Sequence, residues 1–213
     1  MTDFAPTART TIRRRPDRGS YDRDLVHAII DEALLCHVSI IVGREPLVIP
    51  TSITRIAEDV YIHGSNKNRL ITSIEDGARA SIAVTHTDGV VVGRSGFGCS
   101  LEYRSVVIFG RASLVPAEDK ERVMNAVLQD IIPGYGGRRL KPSELAATRI
   151  VRFPLEEVSA KVRNHGVLDV EEDYQRDIWG GVIPLSLVAG EPVSDDRIRP
   201  GVDIPDYARS YRR

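Results

Sequence analysis

Val60-Tyr61-Ile62-His63-Gly64-Ser65-Asn66-Lys67-Asn68-Arg69-Leu70 is the stretch from which the rest of the chain is best understood. β-Branched and aromatic residues follow an acidic turn at Glu58-Asp59, so the segment opens as a strand. It then becomes polar, with Gly64, Ser65, Asn66 and Asn68 set among the cations Lys67 and Arg69. The apolar-periodic run from Leu70 to Ile74 comes next and predicts a short helix over residues 70–75, ended by Asp76-Gly77. Glycine lets a backbone approach a ligand, and free donors with cations at a strand end suit a phosphate group. A solvated turn carrying ordinary surface cations is the competing reading.

The chain has 213 residues, enough for one large domain or one domain with extensions. Its 29 Lys and Arg balance 30 Asp and Glu, so no basic field argues for nucleic acid. Cys36 and Cys99 form no metal-ligand or disulfide pattern, which points to a reducing compartment, with the cytoplasm as the expected location. No apolar run is long enough to span a bilayer, and no secretory signal is expected.

Working outward, residues 1–19 read as an extended arm whose basic cluster, Arg13 to Arg18, is expected to be solvated. Ser20 or Asp22 caps the next helix, where Val26, Ile29, Ile30 and Ala33 form an apolar stripe and His27 is expected at the surface. Residues 37–42 and 47–54 predict a hairpin around Gly43-Arg44-Glu45-Pro46. Residues 79–84 and 103–115 predict two further strands, with a mobile hairpin loop at 89–98 between them. That loop fits neither GxGxxG nor GxSxG. Pro116 starts a helix with Met124, Val127, Leu128 and Ile131 on its apolar side, and two strands follow at 149–153 and 158–162. Strands at short spacing with brief helices give an α+β, mainly β, antiparallel barrel. The domain is expected over 20–187, with a C-terminal extension at 188–213.

No HExxH is present, and His37, His63 and His86 are scattered on strands, so no metal site is assigned. No acid–base dyad stands out either.

Three segments resemble the pyridoxamine 5'-phosphate oxidase-like family of FMN-binding split β-barrels. Residues 63–69 are similar to its phosphate-contacting segment. Glu102-Tyr103-Arg104-Ser105-Val106-Val107-Ile108-Phe109-Gly110-Arg111-Ala112 matches its long strand, above all in the nitroimidazole-resistance branch. Trp179-Gly180-Gly181-Val182-Ile183-Pro184-Leu185 resembles that branch too. The resemblance implies a homodimer with FMN at the subunit interface. It implies that Arg69 anchors the phosphate, with Gly64, Ser65, Lys67 and Asn68 around it. Ile49, Pro50 and Thr51 are then expected to edge the flavin ring, with Tyr103, Arg104 and Ser105 nearby and Trp179 closing the pocket.

The oxidase's basic strand is missing here, because Val48 to Ile53 carries neither Arg nor Lys. Leu70 stands where the oxidase has a lysine, and no Arg-x-His-x-Arg motif follows. Two functions therefore remain open. One is an FMN-dependent oxidoreductase using NADH or NADPH on a small planar or nitro-type substrate, with His63 as its catalytic histidine. The other is a non-catalytic flavin- or haem-binding module.

Overall fold

Alternating apolar and polar residues build two antiparallel sheets around a shared core in the computed structural model, which describes residues 2–74 and 77–212. The chain enters through β1 (Gly19–Ser20) and α1 (Arg23–Glu32). Asp22 caps α1 by accepting the Leu25 N–H at 2.7 Å. Val26, Ile29 and Ile30 from its apolar stripe are fully buried, each contributing roughly 1.5–3 kcal/mol. The hairpin β2 (Leu35–Val42) and β3 (Glu45–Ser52) turns on Gly43-Arg44 alone, with Gly43 at φ 64°. Glu45 and Pro46, expected in the turn, are already strand; β3 is an edge, where proline's missing N–H is tolerated.

β4 (Thr54–Ile56), β5 (Asp59–Ser65) and α2 (Arg69–Ser73) follow. The predicted helix end at Glu75 and its stop at Asp76 lie outside the described residues. β6 runs from Arg79 to Val92, eight residues past its expected end at Val84. A bulge between Thr87 and Gly89 absorbs the irregularity that a shorter strand would have avoided. β7 (Ser100–Arg111) and β8 (Ser113–Leu114) replace the single strand expected at 103–115. At Ala112, whose N–H bonds to the Ala78 carbonyl, the chain leaves one sheet for the other.

Pro116 precedes a short 3-10 turn, and the helix proper, α3 (Lys120–Ile131), begins only after it. α4 (Pro142–Ala147), which sequence periodicity was too short to disclose, leads into β9 (Thr148–Pro154) and β10 (Glu157–Arg163). α5 (Glu171–Tyr174), β11 (Gly181–Pro184) and α6 (Asp206–Arg209) complete the described elements. The main sheet has the order β1-β10-β7-β6-β2-β3, with β11 added to β6, and the second sheet is β4-β5-β9-β8. A smaller cluster of Tyr61, Val115, Val123, Met124, Val127 and Ile150 seats α3 on the second sheet.

Neither terminal arm is simply solvated. Phe4 is buried, its N–H bonds to the Tyr21 carbonyl, and the Arg23 guanidinium lies 3.9 Å from its ring centre. The arm thereby encloses His27, expected at the surface but only 12% exposed, whose ring is edge-on to Phe4. At the other end Tyr207 meets Tyr135, and the Tyr211 hydroxyl donates to the Ile131 carbonyl at 3.0 Å. No helix of the described residues is long and apolar enough to cross a membrane.

Candidate functional site

The end of β5 delivers the polar segment to α2 as its sequence suggested. Gly64 is needed for packing: a Cβ there would stand 2.9 Å from the Ile71 side chain, so α2 sits directly against the strand. The Asn68 side-chain oxygen caps α2 by accepting the Ile71 N–H at 3.3 Å, leaving its amide NH2 as the available donor. The Ser65 hydroxyl accepts the Lys67 N–H at 3.2 Å, and the Asn66 N–H bonds to the Ala147 carbonyl. Lys67 and Arg69 are exposed, and neither has an acidic partner among the described residues.

β9 adds a cation that linear reading missed. Arg149 lies opposite Gly64 in the sheet, and its Nη1 is 3.5 Å from the Ile71 carbonyl. It too has no ion pair among the described residues. Its strand was legible, but the register that sets it beside the turn was not. The corner therefore holds three cations that pair with no acid among the described residues, which suits an anionic group.

His63 lies one residue before Gly64 and so points to the opposite face of β5, the face of Tyr61. It is half-buried, and burial lowers its pKa below the ordinary 6.5, leaving the imidazole neutral at neutral pH. Its ring nitrogens have no hydrogen-bond partner among the described residues.

The other expected ligands fall into separate groups within the chain. β3 touches β5, which brings residues 49–51 toward the same neighbourhood. Pairing with β2 turns Ile49 and Thr51 toward the core side and Pro50 outward. On β7, Tyr103 and Ser105 share the outer face, and the Ser105 hydroxyl donates to the Lys161 carbonyl at 3.3 Å.

Arg104 points the other way and is fully engaged. It bonds Asp88 through Nε at 3.0 Å and Nη2 at 2.8 Å, and Glu32 through Nη1 at 2.5 Å and Nη2 at 2.9 Å. Asp88 is the bulged residue of β6, and Glu32 ends α1. Arg104 holds the Glu32 carboxyl below its usual range, while the two acids raise the guanidinium pKa. The network floors a cleft of about 610 Å³ lined also by His86, Leu185, Leu187, Val188 and Tyr211. The His86 Nε2 donates to the Ile29 carbonyl at 2.9 Å, and its Nδ1 lies 4.0 Å from the Glu32 carboxylate.

The loop expected to be mobile is fastened. β6 takes in residues 89–92, and the remaining turn is held by Asp169, whose side chain is fully buried. That carboxylate accepts the Arg94 N–H at 2.9 Å and packs against Gly98, where a Cβ would collide with it. Arg94 in turn stacks over Tyr174. Trp179 is 63% exposed and covers Gly181 at the start of β11.

Comparison with known proteins agrees with this architecture. The pyridoxamine 5'-phosphate oxidase family model matches residues 22–162. The flavocytochrome Anf3 from Azotobacter vinelandii is similar at 33% identity and a TM-score of 0.91, covering 98% of this chain and 99% of that one. An FAD and heme binding protein from Mycobacterium smegmatis matches at 29% identity and a TM-score of 0.87, over 90% of this chain and 96% of that one. A candidate 5-nitroimidazole antibiotic resistance protein from Bacteroides thetaiotaomicron shares the fold, at 15% identity and a TM-score of 0.56, over 68% of this chain and 86% of the other. No curated protein matches the chain. A model covering most of the chain, on two antiparallel sheets with a basic corner between β5 and α2, places this protein in the pyridoxamine 5'-phosphate oxidase family.

Proposed function

We propose that this protein is a flavin-dependent redox protein that holds its cofactor by the phosphate at the β5–α2 corner. The observation that carries this reading is the cation set Lys67, Arg69 and Arg149, which has no ion pair among the described residues. A flavin monophosphate or diphosphate supplies the missing negative charge, and the Ser65 hydroxyl and Asn68 amide add donors. Bound flavin would accept a hydride and pass its electrons on, while the protein positions the ring. Ile49, Pro50 and Thr51 then lie along the ring's edge, with Tyr103, Ser105 and Trp179 reaching it across a homodimer. Leu35, Ile41 and Val48, exposed on the outer side of β2 and β3, supply apolar surface for that dimer. Electrons come from NADH or NADPH and go to a small planar or nitro-type acceptor.

A second cofactor is favoured by one residue and two relatives. His63 is half-buried, neutral and without a partner among the described residues, the chemistry of an axial ligand to haem iron. The flavocytochrome from A. vinelandii and the FAD and heme binding protein from M. smegmatis are similar over nearly the whole chain. We therefore extend the proposal to haem at His63, with FAD as the alternative to FMN.

The absorption spectrum of the purified protein separates these readings: flavin bands alone, or flavin with a Soret band that His63→Ala abolishes. Stopped-flow mixing with NADH and NADPH tests turnover. Bleaching by dithionite alone would defeat the nicotinamide-linked reading and leave a binding module.

A further inference from the structure

The basic stretch from Arg13 to Arg18 precedes the family-matched segment 22–162, and Arg163 and His165 follow it. The fold joins these two flanks. β1 pairs with β10, Gly19 opposite Lys161, so the arm crosses the outer end of β10. Lys161 Nζ donates to the Arg14 carbonyl at 3.1 Å. Arg18 Nη2 lies 3.1 Å from His165 Nε2; because arginine only donates, that imidazole nitrogen is an acceptor and carries no proton.

Arg163 is 4% exposed, an unusual burial for a guanidinium with no carboxylate bonded to it. Its Nη2 donates to the Gly166 carbonyl at 2.9 Å, and its Nη1 reaches the Leu101 carbonyl at 3.4 Å. Glu102, whose charge acts on Arg163, accepts the Gly166 N–H at 2.8 Å, and Asp17, next to Arg18 in sequence, pairs with Arg15 at 3.1 Å. The Nε atoms of both Arg18 and Arg163 are buried and have no acceptor among the described residues. Burial and then the charge of Arg18 lower the Arg163 pKa; Glu102 and Tyr103 oppose them, and Arg15 adds to the lowering. Two adjoining guanidiniums with buried, unused donors are costly unless an anion joins them.

We propose that Arg18 and Arg163 form an oxyanion site, gripping a phosphate or carboxylate group of a small cofactor where the N-terminal arm crosses β10. The propionates of haem and a free phosphate share that chemistry. The site stands apart from the flavin phosphate at the β5–α2 corner, and inorganic pyrophosphate is its probe.

The test is thermal unfolding of the full-length protein and its Arg18→Gln variant, with and without millimolar pyrophosphate at matched ionic strength. Without the anion, Arg18→Gln unfolds at the higher temperature, since it relieves like-charge repulsion. With pyrophosphate the order reverses, and calorimetric titration gives the variant at least tenfold weaker pyrophosphate binding. Arg163→Met repeats the titration, and if it does not fold, the half-buried Arg18 decides alone. A loss of haem but not haem dimethyl ester affinity in Arg18→Gln identifies the propionates, and loss of pyrophosphate alone identifies a free anion. An order of unfolding that pyrophosphate does not change, or equal stabilisation of both proteins, would overturn the proposal.

Discussion

Arg69 and Arg104 are both arginines on elements that the family resemblance singled out, and their surroundings differ sharply. Arg104 is bonded to two carboxylates contributed by two other elements, Glu32 from the end of α1 and Asp88 from the bulge in β6. Arg69 has none among the described residues, and its neighbours Lys67 and Arg149 are cations. A guanidinium already holding two carboxylates has few donors left and gains little from a phosphate. One with no carboxylate partner among the described residues gains a great deal. Residue type alone therefore does not assign a role. Arg104 ties α1 to the main sheet, and in the proposed reading Arg69 meets the flavin phosphate.

The largest effect should come from breaking the Arg104 side of this comparison. Arg104→Leu removes the guanidinium that bridges Glu32 and Asp88, and we expect a loss of about 3 kcal/mol in denaturant unfolding, with flavin affinity little changed. A loss confined to flavin affinity would reverse the assignment. Arg69→Ala should do the opposite, lowering FMN affinity ten- to a hundredfold, about 1.5–3 kcal/mol, with unfolding shifted by no more than about 0.5 kcal/mol. Arg149→Gln sharpens the picture: fluorescence titration should show roughly fivefold weaker FMN binding, about 1 kcal/mol, because its guanidinium is partly engaged by the Ile71 carbonyl.

The smallest effects are in pH. The folded pKa of His63 is lowered, so it takes up a proton less readily than in the unfolded chain. Its contribution is complete above 6.5 and lost as pH falls through the folded value. Glu32 is likewise lowered from 4.5, and its contribution is lost only below that. Unfolding of the cofactor-free protein at stepped pH should thus show His63→Gln flattening the upper part of the acid limb and Glu32→Gln the lower part. Identical profiles for both variants would mean that neither group carries the linkage.

How much of this was legible beforehand depends on how local each feature is. The β5–α2 corner was readable because a strand pattern, a turn and a helix start are written consecutively in residues 60–70. The α1 stripe and its Asp22 cap were equally local. Arg149 was not, since its place beside Ile71 is set by sheet register between residues 78 positions apart. Arg104 looked like a ligand residue because its two carboxylate partners come from distant segments, one of them displaced by a bulge. The loop at 93–98 looked free for the same reason: its glycines suggest mobility, and only the buried Asp169 reveals that they make room for a clasp. His27 was misplaced because the arm that covers it reads as solvated from composition alone.

The most direct measurement is the affinity difference between FMN and riboflavin, which isolates the phosphate, in the wild type and in Arg69→Ala. If the corner holds the phosphate, FMN should bind the wild type at least tenfold more tightly than riboflavin, and Arg69→Ala should remove most of that advantage while leaving riboflavin binding unchanged. Equal weakening of both ligands, or an FMN advantage that survives the substitution, would place the phosphate elsewhere.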